Sequence, residues 1–442
     1  MSAETQPLPT EFSHEKNVRW SVSLGYGVAS PVVVGGRVFV TAMSAPEEFS
    51  VSAYDAKTGK PLWSRALPTG KLPDITQPNG HASSTPVTDG ERLYVYFSTL
   101  GLVAFDVDGN QLWRRPLPEP HYLLEWGAAA SPILYKDLVI YNSDDDLDAY
   151  LIAVDKKTGD VRWRVPRPEM LGGYAVPVVC TVGGRDELIV AGSGKLKGYD
   201  PSNGNEFWTC NTLLRTVMTT PVVHGDTVYI SIQSYGDTDR VLKYALLQWK
   251  DTNQDGKLTL GEVPLAFEKK FRRGDTNQDG VLEDNEIDEA FQAATNRVGG
   301  GNTIQAVRAG GKGDVTKTHV RWNVDNRAPS NIASPLVWDD RLLVVKKGGI
   351  SSCFDANSGE PQWYLKRVKN RGNYYASPVA GDGKIYIAGE NGTIVVLAAD
   401  SPELKVLARN DMGDSCIATP AISGGSLYVR TAEKLFCVAQ PN

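Results

Sequence analysis

The sequence predicts an all-β fold, an eight-bladed β-propeller of four-stranded blades with a small α-helical insertion in blade five. Three observations support this fold. A small residue followed by proline recurs eight times, a second pattern that ends in tryptophan recurs in step with it, and the 43 glycines and 26 prolines favour short strands joined by turns. Repeats of about 45 residues that each read as four short strands are typical of propeller blades.

The proline repeat sets the number of blades. Each proline precedes an apolar run, a tight turn and an alternating apolar strand, as in residues 30–40. The spacings between successive prolines are 55, 46, 45, 44, 114, 43 and 42 residues. The eight positions are Pro31, Pro86, Pro132, Pro177, Pro221, Pro335, Pro378 and Pro420.

The second pattern reads as strand, turn and strand. Its first copy is Ala53-Tyr-Asp-Ala-Lys-Thr-Gly-Lys-Pro-Leu-Trp63, in which the Asp and Thr-Gly residues suit a tight turn. Because the tryptophans hold a fixed place in the repeat, we expect them to pack between neighbouring blades rather than to hold a cofactor. Further copies end at Trp113, Trp163, Trp208 and Trp363, and a degenerate copy precedes Trp322.

The two ends of the chain predict ring closure. Trp20 precedes any complete unit, whereas the last unit stops at 435–438 without its tryptophan. Joining them completes an eighth blade and removes an open sheet edge. We therefore expect propeller segments at 17–233 and 301–438, with an insertion at 234–300. Residues 1–13 carry no repeat element, so their removal should change little.

The long spacing of 114 residues places the insertion inside blade five. It contains two stretches, 251–262 and 275–286, that match the 12-residue EF-hand calcium loop at its diagnostic positions. Calcium takes six to eight oxygen ligands, which such a loop supplies from side chains, one backbone carbonyl and a closing glutamate. The predicted ligands are Asp251, Asn253, Asp255, the Lys257 carbonyl and Glu262, then Asp275, Asn277, Asp279, the Val281 carbonyl and Glu286. The alternative is a polar surface loop that binds nothing.

The tryptophan pattern resembles the repeat of the PQQ-like (quinoprotein) propeller family, over nearly all of residues 17–438. This family includes PQQ-dependent alcohol dehydrogenases and the propeller lipoprotein of the outer-membrane assembly machinery. The stretch 310–322 together with Tyr375-Ala-Ser-Pro378 further resembles bacterial PQQ-binding-like propellers. The resemblance implies the fold far more strongly than an activity.

The loops that lead into the innermost strands offer a ring of candidate channel residues. Aromatic and polar side chains there suit a planar ligand, or a protein or peptide partner at the propeller face. The alternative is that they only cap the channel. The candidates are Tyr26, His81, Trp126, Tyr174, Arg215, Asn331, Tyr374 and Asp414.

Two smaller features are interpreted as structural. The acidic residues Asp144, Asp145, Asp146 and Asp148 read as solvated loop charge rather than as a third cation site. The five cysteines form no metal or disulfide pattern, so at least one is an unpaired, buried small residue.

Composition and motifs limit the function. A net charge of −6 without a basic block argues against nucleic-acid binding, and no apolar stretch is long enough to span a bilayer. We expect an exported monomer, periplasmic or on the cell surface, whose leader is absent from this chain; a cytoplasmic location stays open.

Two classes of function remain. The first is a calcium-binding, non-catalytic scaffold or binding propeller, for which we assign no catalytic residues. The second is a PQQ- and calcium-dependent quinoprotein alcohol dehydrogenase. The resemblance implies an adjacent-cysteine disulfide above the cofactor of such dehydrogenases, and no two cysteines are neighbours here.

Overall fold

The structure is a computed structural model that describes residues 6–122, 125–170, 172–211, 217–233, 246–247, 250–291, 302–325, 330 and 332–440. The propeller consists of eight sheets, one for each blade, and the four strands of each blade pair antiparallel. Strand β1 is Val18–Ser23. Blade one contains β2 (Val32–Val34), β3 (Arg37–Ala45), β4 (Glu48–Asp55) and β5 (Pro61–Pro68). Blade two contains β6 (Val87–Thr88), β7 (Arg92–Phe97), β8 (Gly101–Asp106) and β9 (Gln111–Arg115). Blade three contains β10 (Ile133–Tyr135), β11 (Leu138–Ser143), β12 (Tyr150–Asp155) and β13 (Val161–Pro166). Blade four contains β14 (Val178–Val182), β15 (Arg185–Gly192), β16 (Lys195–Tyr199) and β17 (Glu206–Asn211).

Blade five is divided by the insertion. It begins with β18 (Val222–His224) and β19 (Thr227–Gln233). The insertion contains β20 (Leu258–Thr259), 3-10 turns at Leu260–Glu262 and Leu265–Phe267, helix α1 (Glu268–Gly274), β21 (Val281–Leu282) and helix α2 (Asn285–Phe291). The chain then forms β22 (Asn302–Arg308), β23 (Gly313–Asp314), helix α3 (Thr316–His319) and β24 (Val320–Asp325). Of these, β22 and β24 complete blade five, while β23 pairs in parallel with β17 at the outer edge of blade four.

Three further blades complete the ring. Blade six contains β25 (Leu336–Trp338), β26 (Arg341–Lys346), β27 (Ile350–Asp355) and β28 (Pro361–Arg367). Blade seven contains β29 (Val379–Gly381), β30 (Lys384–Ala388), β31 (Thr393–Ala398) and β32 (Val406–Asp411). Blade eight contains β33 (Ala421–Ser423), β34 (Ser426–Arg430) and β35 (Lys434–Ala439), together with β1. No helix in the described part of the chain has the length and apolar character needed to cross a bilayer.

The predicted closure of an eighth blade is confirmed. Strand β1 pairs antiparallel with β35, with Trp20 opposite Cys437. The buried Arg430 adds a second connection between blades eight and one, because its guanidinium donates to the carbonyl oxygens of Ala29 and Thr41 at 3.1 and 2.6 Å. The ring is thus latched without a covalent bond.

Hydroxyl groups around the channel connect the blades on their inner side. The residue directly before the recurring proline is Ser or Thr in seven of eight blades, Val176 being the exception. Its hydroxyl accepts a hydrogen bond from the backbone N–H at the same position of the preceding blade, as when Thr419 donates to Ser30 at 3.2 Å. The other bonds of this type run from Ser30 to Thr85, Thr85 to Ser131, Val176 to Thr220, Thr220 to Ser334, Ser334 to Ser377 and Ser377 to Thr419.

Tryptophans connect the blades on their outer side, as the repeat predicted. The Trp20 indole N–H donates to the Ala56 carbonyl at 3.1 Å, and its ring lies against Gly59 of the next blade. Trp63, Trp113, Trp163 and Trp322 make the equivalent bond to the next blade. Trp208 and Trp363 instead donate to Glu187 and Ser351 within their own blades.

The N-terminal segment differs from expectation. Leu8 and Phe12 are buried in a core with Tyr386 and other residues of blades seven and eight. The Leu8 and Phe12 amides donate to Asp382 and Asn410, each at 2.9 Å. The expectation that residues 1–13 are dispensable is therefore wrong, because an apolar segment outside the repeat still covers the ends of two blades.

The cysteines match the expectation of buried small residues. All five are free and buried. Burial raises the pKa of the Cys353 thiol to about 12. These thiols are therefore packing groups and not reactive ones.

Gly59→Ala should destabilise the protein more than Gly36→Ala. Both glycines have a positive φ, +70° and +73°, but a Cβ at Gly59 would lie 2.6 Å from the Trp20 ring whereas one at Gly36 meets nothing within 4 Å. The backbone penalty of about 1–2 kcal/mol is shared, and overpacking adds about 1–3 kcal/mol at Gly59 alone. Denaturant unfolding of both variants measures the difference; equal losses would refute interblade tryptophan packing.

Candidate functional sites: the channel mouth and the paired loops

The inner strands surround a cavity of about 420 Å³ at one end of the central channel. Each blade contributes the residue three positions before its recurring proline, so the repeat itself places these side chains. They are Val28, Ser83, Ala129, Tyr174, Met218, Ile332, Tyr375 and Ile417. Trp126, Val176, Thr220 and residues 76–79 complete the lining, which we call the channel mouth.

The predicted channel ring is only partly in the channel mouth. Of its six described members, Trp126 and Tyr174 line the cavity. The Tyr26 hydroxyl lies at the rim and donates to the Gln77 side chain and the Pro78 carbonyl at 3.0 Å each. Tyr374 is buried between blades six and seven, and its neighbour Tyr375 lines the cavity instead.

The remaining candidates do not line the described cavity. His81 is half-buried and lies outside the lining, and Asp414 accepts hydrogen bonds from the amides of Ser415 and Glu433. Arg215 and Asn331 lie outside the described residues. Sequence reasoning missed Val28, Met218, Ile332 and Ile417, although a fixed offset from the repeating proline would have found all of them.

The channel mouth is apolar and aromatic. Among the described lining residues there is no Asp, Glu, Lys, Arg or His. Tyr174 stacks on Tyr122 with ring centroids 4.8 Å apart and lies 6.3 Å from the Trp126 ring. The Asn79 side-chain amide donates to the Trp126 carbonyl at 2.7 Å, which fixes one side of the rim. The described part of this surface therefore suits uncharged, apolar groups.

The residues 144–148, here called the acidic loop, join β11 to β12 beside this rim. The interpretation as solvated charge is wrong, because Asp144, Asp145 and Asp146 are 0, 4 and 9% exposed. Asp144 forms two hydrogen bonds with the buried Arg167, at 2.8 and 2.9 Å. Only Asp148 is half-exposed, and it pairs with Arg164 at 2.9 Å.

Asp145 is held by backbone groups. Its carboxylate accepts hydrogen bonds from the amides of His121, Leu147 and Asp148. Burial raises the pKa of Asp145, and these backbone donors oppose that rise. Backbone amides therefore bind Asp145, whereas arginines pair with Asp144 and Asp148.

The insertion folds its two candidate calcium loops in the same way. In loop one (residues 251–262), Asp251 accepts from the amides of Asp255 and Gly256 at 3.2 and 2.9 Å. In loop two (residues 275–286), Asp275 accepts from Asp279 and Gly280 at 3.1 Å each. The loops pair through β20 and β21, with Leu258 opposite Leu282. Asp251 and Asp275 thus accept the same two backbone hydrogen bonds in two matched turns.

The closing glutamates bind backbone amides of their own loops. Glu262 accepts from the amides of Thr252 and Thr259 at 3.1 and 2.9 Å. Glu286 accepts from Thr276 at 3.0 Å through one oxygen, while its other oxygen is buried without a hydrogen-bond partner. The Thr259 amide is the main cause that lowers the pKa of Glu262, whereas the pKa of Glu286 is lowered first by the Thr276 hydroxyl and then by backbone amides.

The donor chemistry of the loops fits a hard cation. Carboxylate, amide and carbonyl oxygens are the ligands that calcium takes, and a buried, unpartnered carboxylate oxygen at Glu286 lacks a positive partner. No three His, Cys, Asp or Glu side chains of the described residues converge on one point. A bound ion would therefore draw the glutamates away from the backbone amides they now accept from.

Comparison with known proteins identifies the family. The family described as outer membrane protein assembly factor BamB matches residues 13–126, 123–261 and 286–440. The chain belongs to this family. BamB of Shewanella oneidensis is 20% identical over 402 residues, which cover 86% of this chain and 88% of that protein.

Solved structures agree with this fold. BamB from Moraxella catarrhalis has a TM-score of 0.59 at 14% identity, covering 96% of this chain and 97% of that one. The quinohemoprotein alcohol dehydrogenase from Comamonas testosteroni has a TM-score of 0.56 at 11% identity, covering 96% of this chain and 77% of that one. These identities support a shared fold and no more.

The BamB family match leaves out residues 262–285. That segment contains Glu262, α1 and most of loop two, whereas the propeller on both sides is matched. Loop one, apart from Glu262, lies within the matched residues, so the part without a family match is α1 and most of loop two, on the connection between β19 and β22.

Arg167→Met should destabilise the protein far more than Arg164→Met. Arg167 and Asp144 are 1 and 0% exposed, whereas Arg164 and Asp148 are 41 and 45% exposed. Removing one partner of a buried pair costs about 3–5 kcal/mol, and an exposed pair is worth about 1 kcal/mol or less. Denaturant midpoints of the two variants test this; similar losses would mean that Asp144 is accessible to water.

Proposed function

We propose that this protein is an exported, non-catalytic scaffold propeller that holds a protein partner of outer-membrane protein assembly at its channel mouth, beside a calcium-binding module. Membership of the BamB family supports the assembly role. The observation that carries the proposal is the channel mouth, which is ringed by every blade and is apolar and aromatic without a charged described residue. Such a surface binds partner side chains and does no chemistry.

The alternative of a PQQ-dependent dehydrogenase has less support. The fold of this chain resembles that of the quinohemoprotein alcohol dehydrogenase. However, PQQ is a planar quinone with several carboxylates, and the described lining residues supply no basic partner for them. The described lining residues do not fit this cofactor. Adding PQQ with calcium to the purified protein and recording the quinone spectrum tests the alternative directly.

A photo-crosslinking amino acid at Tyr375 should capture a specific partner in the native bacterium. Tyr375 lines the channel mouth, and the matched control is Leu62, a 45% exposed residue on the outer strand of blade one. We expect a defined adduct from position 375, identified by mass spectrometry as an outer-membrane assembly protein, and none from position 62. The same adducts from both positions, or no adduct from 375, would contradict a partner at the channel mouth.

Calcium binding is the second part of the proposal. The two loops have matching backbone hydrogen bonds, and each contributes carboxylates at the predicted positions. Loop two carries Glu283 in addition, while loop one carries Lys257, which pairs with Glu283 at 2.5 Å. Since affinity rises with the negative charge of the ligands, loop two should bind calcium more tightly.

Calorimetry should detect two calcium ions per chain, with Glu286→Gln weakening total affinity more than Glu262→Gln. Each change removes the closing carboxylate of one loop, and loop two is the tighter site. Glu289→Gln on the exposed side of α2 is the control and should bind as the wild type does. The absence of calcium-dependent heat in the wild type would refute calcium binding, and the reverse order of the two variants would refute the ranking.

A further inference from the structure

One residue of the propeller belongs to the hydrophobic core of the insertion. Leu147, in the acidic loop of blade three, is 2% exposed and packs with Leu258, Phe271 and Ile287. The other members of this core come from the insertion: Leu246, Val263, Phe267, Leu282, Ala290 and Phe291. The insertion leaves the ring at blade five, so this contact reaches past blade four to blade three.

The acidic loop that carries Leu147 is bonded to the chain that leads into blade three. The His121 amide donates to the Asp145 carboxylate at 3.0 Å, and the Asp146 amide donates to the His121 carbonyl at 2.8 Å. Asp145 also accepts from the Leu147 amide at 3.0 Å. The position of Leu147 therefore fixes the position of residue 121.

Residue 121 in turn adjoins the channel mouth. Its neighbour Tyr122 is buried and stacks on Tyr174, which lines the cavity next to Trp126. The connection from the core of the insertion to the channel mouth is thus a short series of direct contacts: Leu147, Asp145, His121, Tyr122 and Tyr174.

A groove of about 610 Å³, lined by Leu147 among others, lies between the insertion and blade three. Glu119, His121 and Asp145 lie on its propeller wall. Glu262, the closing glutamate of loop one, lies on the opposite wall with Leu265. Movement of Glu262 towards a bound ion would therefore change the wall that faces the acidic loop.

We propose that the acidic loop is the internal target of the paired loops: Leu147 is the apolar anchor that they hold, and calcium binding tightens this hold and orders the channel mouth. This regulation rests on the calcium binding proposed above. Paired calcium loops of the sensor type present an apolar surface when loaded, and here the chain itself supplies the residue that covers it. Because the coupling is reciprocal, loss of the anchor must weaken calcium binding.

The test combines calorimetry with hydrogen exchange on the full chain. Leu147→Ala should weaken calcium affinity by about fivefold or more, the lower end of typical coupling between sites. Leu147→Met, which keeps the volume and apolar character, should restore most of it. Leu62→Ala, the same truncation at an exposed position of blade one, should leave the affinity unchanged.

Exchange of the backbone amides supplies the second measurement. In the wild type, calcium should slow exchange in peptides that contain the His121 and Asp146 amides, whose bonds join the acidic loop to the channel mouth. In Leu147→Ala, calcium should no longer slow them. The double variant Glu262→Gln/Glu286→Gln should exchange like the chelated wild type.

The outcomes separate the two proposals. If the wild type binds no calcium, both the calcium proposal and the proposed coupling through Leu147 fail. If the wild type binds calcium but Leu147→Ala changes neither the affinity nor the exchange of these amides, only the coupling through Leu147 is overturned.

Discussion

The hydrogen bond that seven of the eight blades accept from the blade before them is the interaction on which the rest of the structure depends. At the channel, a backbone N–H donates to a Ser or Thr hydroxyl of the next blade, and the bond from Thr419 to Ser30 joins blade eight to blade one. Blade four, where Val176 replaces the hydroxyl residue, is the exception. At the rim, an indole N–H makes the outer counterpart, as from Trp20 to Ala56. Four short strands bury too little to be stable alone, so each blade depends on both neighbours.

In a ring held in this way, the positions of the inner residues are fixed, whereas the loops that connect the strands can vary in length. The same offset from proline brings one side chain from every blade to the channel mouth, whatever the residue type. The connection between β19 and β22, by contrast, accommodates an insertion with its own core. Binding residues on such a scaffold come from the loops, so the fold alone does not determine the function.

Much of this fold was predictable because it repeats. The recurring prolines mark a blade geometry that occurs eight times, and tryptophans accompany most of them. One irregular copy, such as the degenerate one before Trp322, therefore does not change the predicted number of blades. What does not repeat was missed: Leu8 and Phe12 carry no motif, yet they cover blades seven and eight. The predicted channel ring is only partly correct for a related reason. A constant offset from the proline, and not the chemical type of the side chain, determines which residue of each blade lines the channel mouth.

The acidic loop shows why composition alone misjudges a short segment. Four aspartates within five residues read as solvated charge, because burying an unpaired carboxylate costs several kcal/mol. That reasoning fails when partners come from distant sequence: Arg167 lies 23 residues on, and the apolar core around Leu147 comes from beyond residue 245. Asp144 and Asp148 pair with arginines, and Asp145 accepts hydrogen bonds from backbone amides. These partners allow the loop to bury Leu147 in that core. A segment that is costly to bury is therefore kept buried by contacts with two separate parts of the chain.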